Sequence, residues 1–221
     1  MIEWKNLFQQ HDWELKTVFL LLFILLIILK NIDTDRFYAL CNWRNRNPFP
    51  KRFHRESNIR SADPFSLINF VFLSIVITLY VHLYDELQFT RAWDWFDFMT
   101  TGIVVLTGFG VRWLLSRLLF FIFGASPSTY TTLANSNAAL FRWGYGSFLL
   151  LCLASFNGFT VSSLQIIIII YLMYLFWIQL GVVQQYFKLE RRSYLSFILY
   201  LCALKISPWV MFTLWASSTK L

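Results

Sequence analysis

The stretch Thr17-Val18-Phe19-Leu20-Leu21-Leu22-Phe23-Ile24-Leu25-Leu26-Ile27-Ile28-Leu29 decides the fold. After Thr17 it contains no polar side chain and no apolar/polar alternation. A strand of an outer-membrane barrel would alternate over about 10 residues, and this run does not. A helix crossing a hydrocarbon layer of about 30 Å needs about 20 predominantly apolar residues. The run reaches that length when extended from Trp13 past Lys30, whose aliphatic stem can reach back to an interface. Glu3, Asp12 and Glu14 precede it, and Lys30-Asn31-Ile32-Asp33-Thr34-Asp35 follows. Neither flank has the basic start or the small-x-small site of a cleaved signal peptide, so the segment reads as an uncleaved span.

Composition extends this reading to the whole chain. Of 221 residues, 57% are hydrophobic, 20% aromatic and only 14% charged, and the mean hydropathy is +0.55. Soluble domains run at about 45–50% apolar and about 25% charged residues, so a soluble globular protein is excluded. Disorder needs the opposite bias. The expected architecture is an all-α integral membrane protein, a bundle of about six transmembrane helices forming one domain over residues 1–221. The spans are expected near residues 14–32, 65–84, 98–120, 138–156, 160–187 and 194–215. A basic cytoplasmic loop is expected over residues 33–64. Leu118 to Phe123, at the end of the third span, is expected to lie along the interface.

Charge placement orients the bundle. From Lys30 to Asp63 lie eight basic residues: Lys30, Arg36, Arg44, Arg46, Lys51, Arg52, Arg55 and Arg60. Lys188, Arg191 and Arg192 mark the last connection, and Arg117 and Arg142 flank the third. The second connection opposes Arg91 to Asp85, Glu86, Asp94 and Asp97. Basic loops stay cytoplasmic, which puts both termini outside. The net charge of +7 is then an orientation signal rather than a nucleic-acid footprint. Trp93, Trp95 and Phe96 fit an aromatic belt at the outer interface.

Chemistry-bearing motifs are scarce. His11, His54 and His82 fall in three different regions, and Cys41, Cys152 and Cys202 show no CxxC spacing, so neither a metal site nor a disulfide framework is expected. Gly108-Phe109-Gly110 lacks the lysine of a phosphate loop and reads as a point of close helix approach or a kink. There is no GxSxG elbow, and no cofactor is expected. The loop residues Arg44, Arg46, Lys51, Arg52 and Arg55 are candidates for contact with anionic lipid or a partner, at about 1 kcal/mol per basic residue near a charged surface.

Lys205 stands about eleven residues into the last span, where a lysine costs about 2.5–3.5 kcal/mol to insert and marks a candidate functional position. With Pro208, Tyr200 and Arg112 it forms the candidate intramembrane polar site. Two readings stand. Lys205 either lines a functional path or serves the local backbone, because Pro208 has no N–H and the carbonyl of Leu204 loses its helical partner. Arg112 has the parallel alternative of snorkelling towards the interface.

The linker from Arg36-Phe37-Tyr38 to Asp63-Pro64-Phe65-Ser66-Leu67-Ile68-Asn69, with Leu199-Tyr200-Leu201-Cys202-Ala203-Leu204-Lys205-Ile206-Ser207-Pro208, resembles the family called domain of unknown function 4271. That family's closing pattern is Leu-Tyr-Leu-Cys-x-Leu-Glu-Ile-x-Pro, and Lys205 stands at the Glu position. The resemblance covers roughly Phe37 to Trp215. It implies a multi-span protein of the inner membrane of Gram-negative bacteria and supplies no activity.

The expected function is a non-catalytic subunit or scaffold of a cell-envelope assembly, in contact with membrane lipids and other membrane subunits and not with nucleic acid. The alternative is a small transporter or lipid-handling protein. Lys205→Met separates the two readings of that residue. A backbone-serving lysine predicts a folded variant with a lower Tm and retained cellular function. A lysine in a transport path predicts an unchanged Tm with lost function, and no change in either quantity contradicts both.

Overall fold

The computed structural model describes residues 12–42, 63–89, 94–123 and 127–157, together with Ile166, Ile169, Ile170 and Met173. Its elements are all helices: α1 Asp12–Ile32, α2 Thr34–Cys41, α3 Pro64–Phe89, α4 Trp95–Phe123 and α5 Pro127–Asn157.

Local chemistry sets these boundaries. Thr34 Oγ1 donates to Lys30 O at 2.9 Å, satisfying one carbonyl at the end of α1. A single extended residue, Asp33 (φ −150°, ψ 90°), then breaks the helix and caps α2 by accepting from Arg36 N. Helices α3 and α5 both open on proline, Pro64 and Pro127, whose missing N–H costs nothing in a first turn. Asp94 caps α4: its Oδ1 accepts from Phe96 N at 2.9 Å.

Helix α3 is the pivot, packed against α1, α4 and α5. Ring contacts pair Phe70 with Phe109 and His82 with Phe98, which makes α3 and α4 antiparallel. Phe70 against Phe141 and Phe72 against Tyr145 and Phe148 make α3 and α5 parallel. Phe70 therefore bridges both neighbours. Phe72, Val76 and Leu79 of α3, Leu22 and Leu29 of α1 and Phe148 of α5 are closed to solvent within the core. Hydroxyl groups within the helices bond back to carbonyls four residues earlier: Ser74 to Phe70, Thr78 to Ser74, Thr107 to Ile103. That pattern lets polar residues sit in apolar surroundings without orphaned groups.

Several expectations are corrected. Residues 34–41, read as loop, form a helix because Asp33 supplies a cap and Leu40 an apolar anchor. The third connection narrows to residues 124–126, since α4 continues through Phe123 and α5 starts at Pro127. Leu118 to Phe123 continues the α4 helix. Gly108 and Gly110 are not points of close approach: among the described residues nothing lies within 4 Å of a Cβ built there. The tight contact is at Gly144, where such a Cβ would meet Leu73 Cδ1 at 3.0 Å, with Gly102 more loosely against Thr78. Among the described residues two helices are long and apolar enough to cross a membrane, over Trp13–Ile32 and Pro64–Asp85. The expected spans at 160–187 and 194–215 lie outside the described residues, apart from Ile166, Ile169, Ile170 and Met173, which are helical and exposed at one-face spacing.

The two glycine environments give a direct contrast. Gly144→Val forces branched carbon into the α3–α5 contact and is expected to cost about 1–3 kcal/mol by overpacking. Gly110→Ala fills open space and is expected to be neutral or to stabilise by about 0.5–1 kcal/mol through helix propensity. Thermal melts of both variants check this, and equal melting temperatures contradict the assigned contacts.

Candidate functional site

A buried polar cluster lies where α2 meets α5. Arg142, one residue after Phe141 in the α3-facing seam, is 5% exposed. Its Nε donates to Leu40 O at 3.1 Å, and its Nη2 donates to Ala39 O at 2.9 Å and to Asn42 O at 2.8 Å. These carbonyls close the last turn of α2, where a helix of eight residues has oxygens that its own N–H groups cannot reach. A cation at a helix C-terminus also opposes the negative end of the helix dipole. Hydrogen bonds from charged donors contribute roughly 1.5–3 kcal/mol each, and this arginine makes three of them in one direction.

One turn further along α5, the Tyr145 hydroxyl donates to Asn69 Oδ1 at 2.6 Å, and Asn69 Nδ2 donates to Phe65 O at 2.8 Å. Both side chains are buried, so the chain ends on a backbone carbonyl with each step satisfied. Phe37 of α2 stacks on Tyr145 at 5.7 Å. The other end of α2 is tied by charge: Arg36 pairs with Asp33 at 3.0 Å and with Asp63, the residue before α3. Cys41 closes the cluster beside Arg142. The residue is exposed, yet partial desolvation pushes its thiol up from the ordinary range, against the pull of the Arg142 guanidinium.

The opposite end of the bundle is aromatic and acidic. Trp13 of α1 lies 6.2 Å from Trp95 of α4, and Trp95 lies 5.9 Å from Phe98. His82 faces Phe98 and lies within electrostatic reach of Asp85, Asp94 and Asp97. Glu14, at the start of α1, is buried there. Among the described residues no group of three or more His, Cys, Asp or Glu could hold a metal ion.

The sequence-derived candidates are distributed differently. Arg112 lies on α4, half-buried, on a helix that packs against α3. Lys205, Pro208 and Tyr200 lie outside the described residues, as do Arg44, Arg46, Lys51, Arg52 and Arg55. Sequence reasoning missed Arg142 as a functional position because its partners are main-chain carbonyls about 100 residues away. Its one legible signal was a lone arginine within an otherwise apolar run. Asn69 was visible as a polar residue in a clean span, but its partner Tyr145 was not.

The chemistry these groups can perform is positional: Arg142 holds a helix end, and Tyr145 with Asn69 fixes the register of α5 on α3. A family model described as Domain of unknown function (DUF4271) matches residues 16–215. No curated protein and no solved structure matches.

Tyr145→Phe removes the donor to Asn69 while keeping the ring that packs on Phe72 and Phe37. It leaves a buried acceptor unmade and is expected to cost about 1–3 kcal/mol. Denaturation of the variant beside the parent checks this, and parity contradicts a buried bond.

Proposed function

The chain belongs to the DUF4271 family, and from that premise we propose that it is a non-catalytic, multi-pass protein of the bacterial inner membrane. It serves as a subunit or scaffold of a cell-envelope assembly. In this reading about six helices cross the bilayer with both termini outside.

The observation that carries the membrane reading is the outward face of α1. Leu20, Ile24 and Ile27 are 61%, 49% and 59% exposed, on a helix with one lysine in its last turn. Soluble monomers rarely leave so continuous an apolar stripe open, and lipid covers it at no cost. Charge asymmetry supports the orientation. Arg36 and Arg142 stand at the end of the bundle where α3 begins, beside Asp33 and Asp63, while Asp85, Asp94 and Asp97 gather where it ends with His82 between them. The first end is cytoplasmic by the basic-loop rule, and the tryptophans at the second suit an outer interface. The scaffold reading is supported by the use of the buried polar groups, since Arg142, Tyr145 and Asn69 bond within the chain itself. The basic segment with Arg44, Arg46, Lys51, Arg52 and Arg55 then meets anionic headgroups.

Two measurements test this. Single cysteines at Asn45 and Asp94, in a background without native cysteines, are expected to react with an impermeant maleimide from opposite sides; labelling from one side overturns the topology. Solubilised in a mild detergent, the protein is expected to migrate with other membrane subunits in stoichiometric amounts. Quantitative recovery of the 26.3 kDa chain alone overturns the scaffold role and leaves the topology standing.

A further inference from the structure

We propose that the α3–α5 seam binds one internal water molecule between the hydroxyls of Ser147 and Tyr80. The water is a further polar tie between the two helices, beyond the bond from Tyr145 to Asn69.

Hydroxyls within these helices share one habit. Thr17, Ser74, Thr78, Thr100 and Thr107 each donate to the carbonyl four residues earlier. Ser147 departs from it. The residue is closed to solvent, and its Oγ has no hydrogen-bond partner among the described residues. A buried hydroxyl in that position forfeits the bonds it makes in water, and ordered water is the common means of restoring them.

Tyr80 supplies the second group. It is buried on α3, and its hydroxyl donates to Ser147 O at 3.2 Å. That is longer than the usual O–H···O separation of about 2.7–2.8 Å, whereas Tyr145 reaches Asn69 at 2.6 Å. The phenol oxygen accepts as well as donates. A closed ring then accounts for each donor: Ser147 Oγ donates to the water, the water donates to Tyr80 Oη, and Tyr80 Oη donates to Ser147 O. The water's other proton goes to the spare lone pair of an α5 carbonyl, which brings it to about three bonds, the usual number for an internal water. The position also provides an entry. The Phe72 ring, against Tyr145 and Phe148, lies on the Arg142 side of the site. On the other side Tyr80 stands one and a half turns before Asp85, about 7–8 Å along the helix axis, so the polar end of α3 is the short way in.

Thermal melts of the full chain in detergent and solid-state NMR of the parent protein in lipid test the proposal. Ser147→Ala introduces the better helix former, so a dry, orphaned hydroxyl predicts a variant that melts above the parent. The bound water predicts the reverse, a Tm lower by about 2–4 °C. Tyr80→Phe is expected to melt lower as well. The double variant is expected to lose less than the sum of the two single losses, because both hydroxyls hold the same water. In the parent, water protons are expected to transfer magnetisation to the Ser147 Hβ protons and not to the side chain of Val76, which is equally closed to solvent. The NMR measurement needs no substitution, so it decides the matter even if a variant fails to fold. A Ser147→Ala variant that melts at or above the parent overturns the proposal. Additive losses in the double variant, or Ser147 protons that receive nothing from water, overturn it as well.

Discussion

A short helix leaves carbonyl oxygens at its end that no turn of its own can satisfy, and in this protein one guanidinium from a distant helix satisfies them. The three bonds from Arg142 to Ala39, Leu40 and Asn42 connect two parts of the chain that sequence order keeps far apart. They fix where α2 ends. They also set the level at which α5 sits, because the turn that carries Arg142 leads directly to Tyr145 and its bond to Asn69.

From that point the bundle follows from packing around α3. Phe70 touches rings of both α4 and α5, and Gly144 removes the side chain that would collide with Leu73. Close approach of this kind brings the helix backbones together and adds packing contacts along the seam. The hydroxyls bonded to carbonyls four residues back are satisfied within their own helices. Arg36 and Arg142 stand with Asp33 and Asp63 where α3 begins, and Asp85, Asp94 and Asp97 stand with Trp13 and Trp95 where it ends.

The legible part of this architecture was the part written in local pattern. The run from Val18 to Leu29 and the clean stretch from Phe65 to Tyr84 announce α1 and α3, because apolar length alone specifies them. Helix α4 was placed within a few residues. Helix α2 was readable in principle, since Asp33 precedes a helical stretch in which Arg36 lies one turn on, yet the density of basic residues around it argued for loop. The early start of α5 was hidden by serine and threonine after Pro127, residues that read as a connection by composition. Arg142 was counted as an orientation charge, because main-chain acceptors leave no mark in a sequence. Glycine was misjudged in the same way: Gly108-Phe109-Gly110 looked like a packing motif, while Gly144, in the equally spaced Gly144-Tyr145-Gly146, makes the contact.

The central claim is that the Arg142 guanidinium is immobilised on backbone carbonyls, and its own side-chain protons report this directly. In protein labelled with ¹⁵N-arginine, the Arg142 Nε–H signal, assigned through the Arg142→Lys variant, is predicted to be sharp and to exchange with water far more slowly than an exposed arginine. An Arg142 signal that exchanges as fast as that of a solvent-exposed guanidinium would contradict the account.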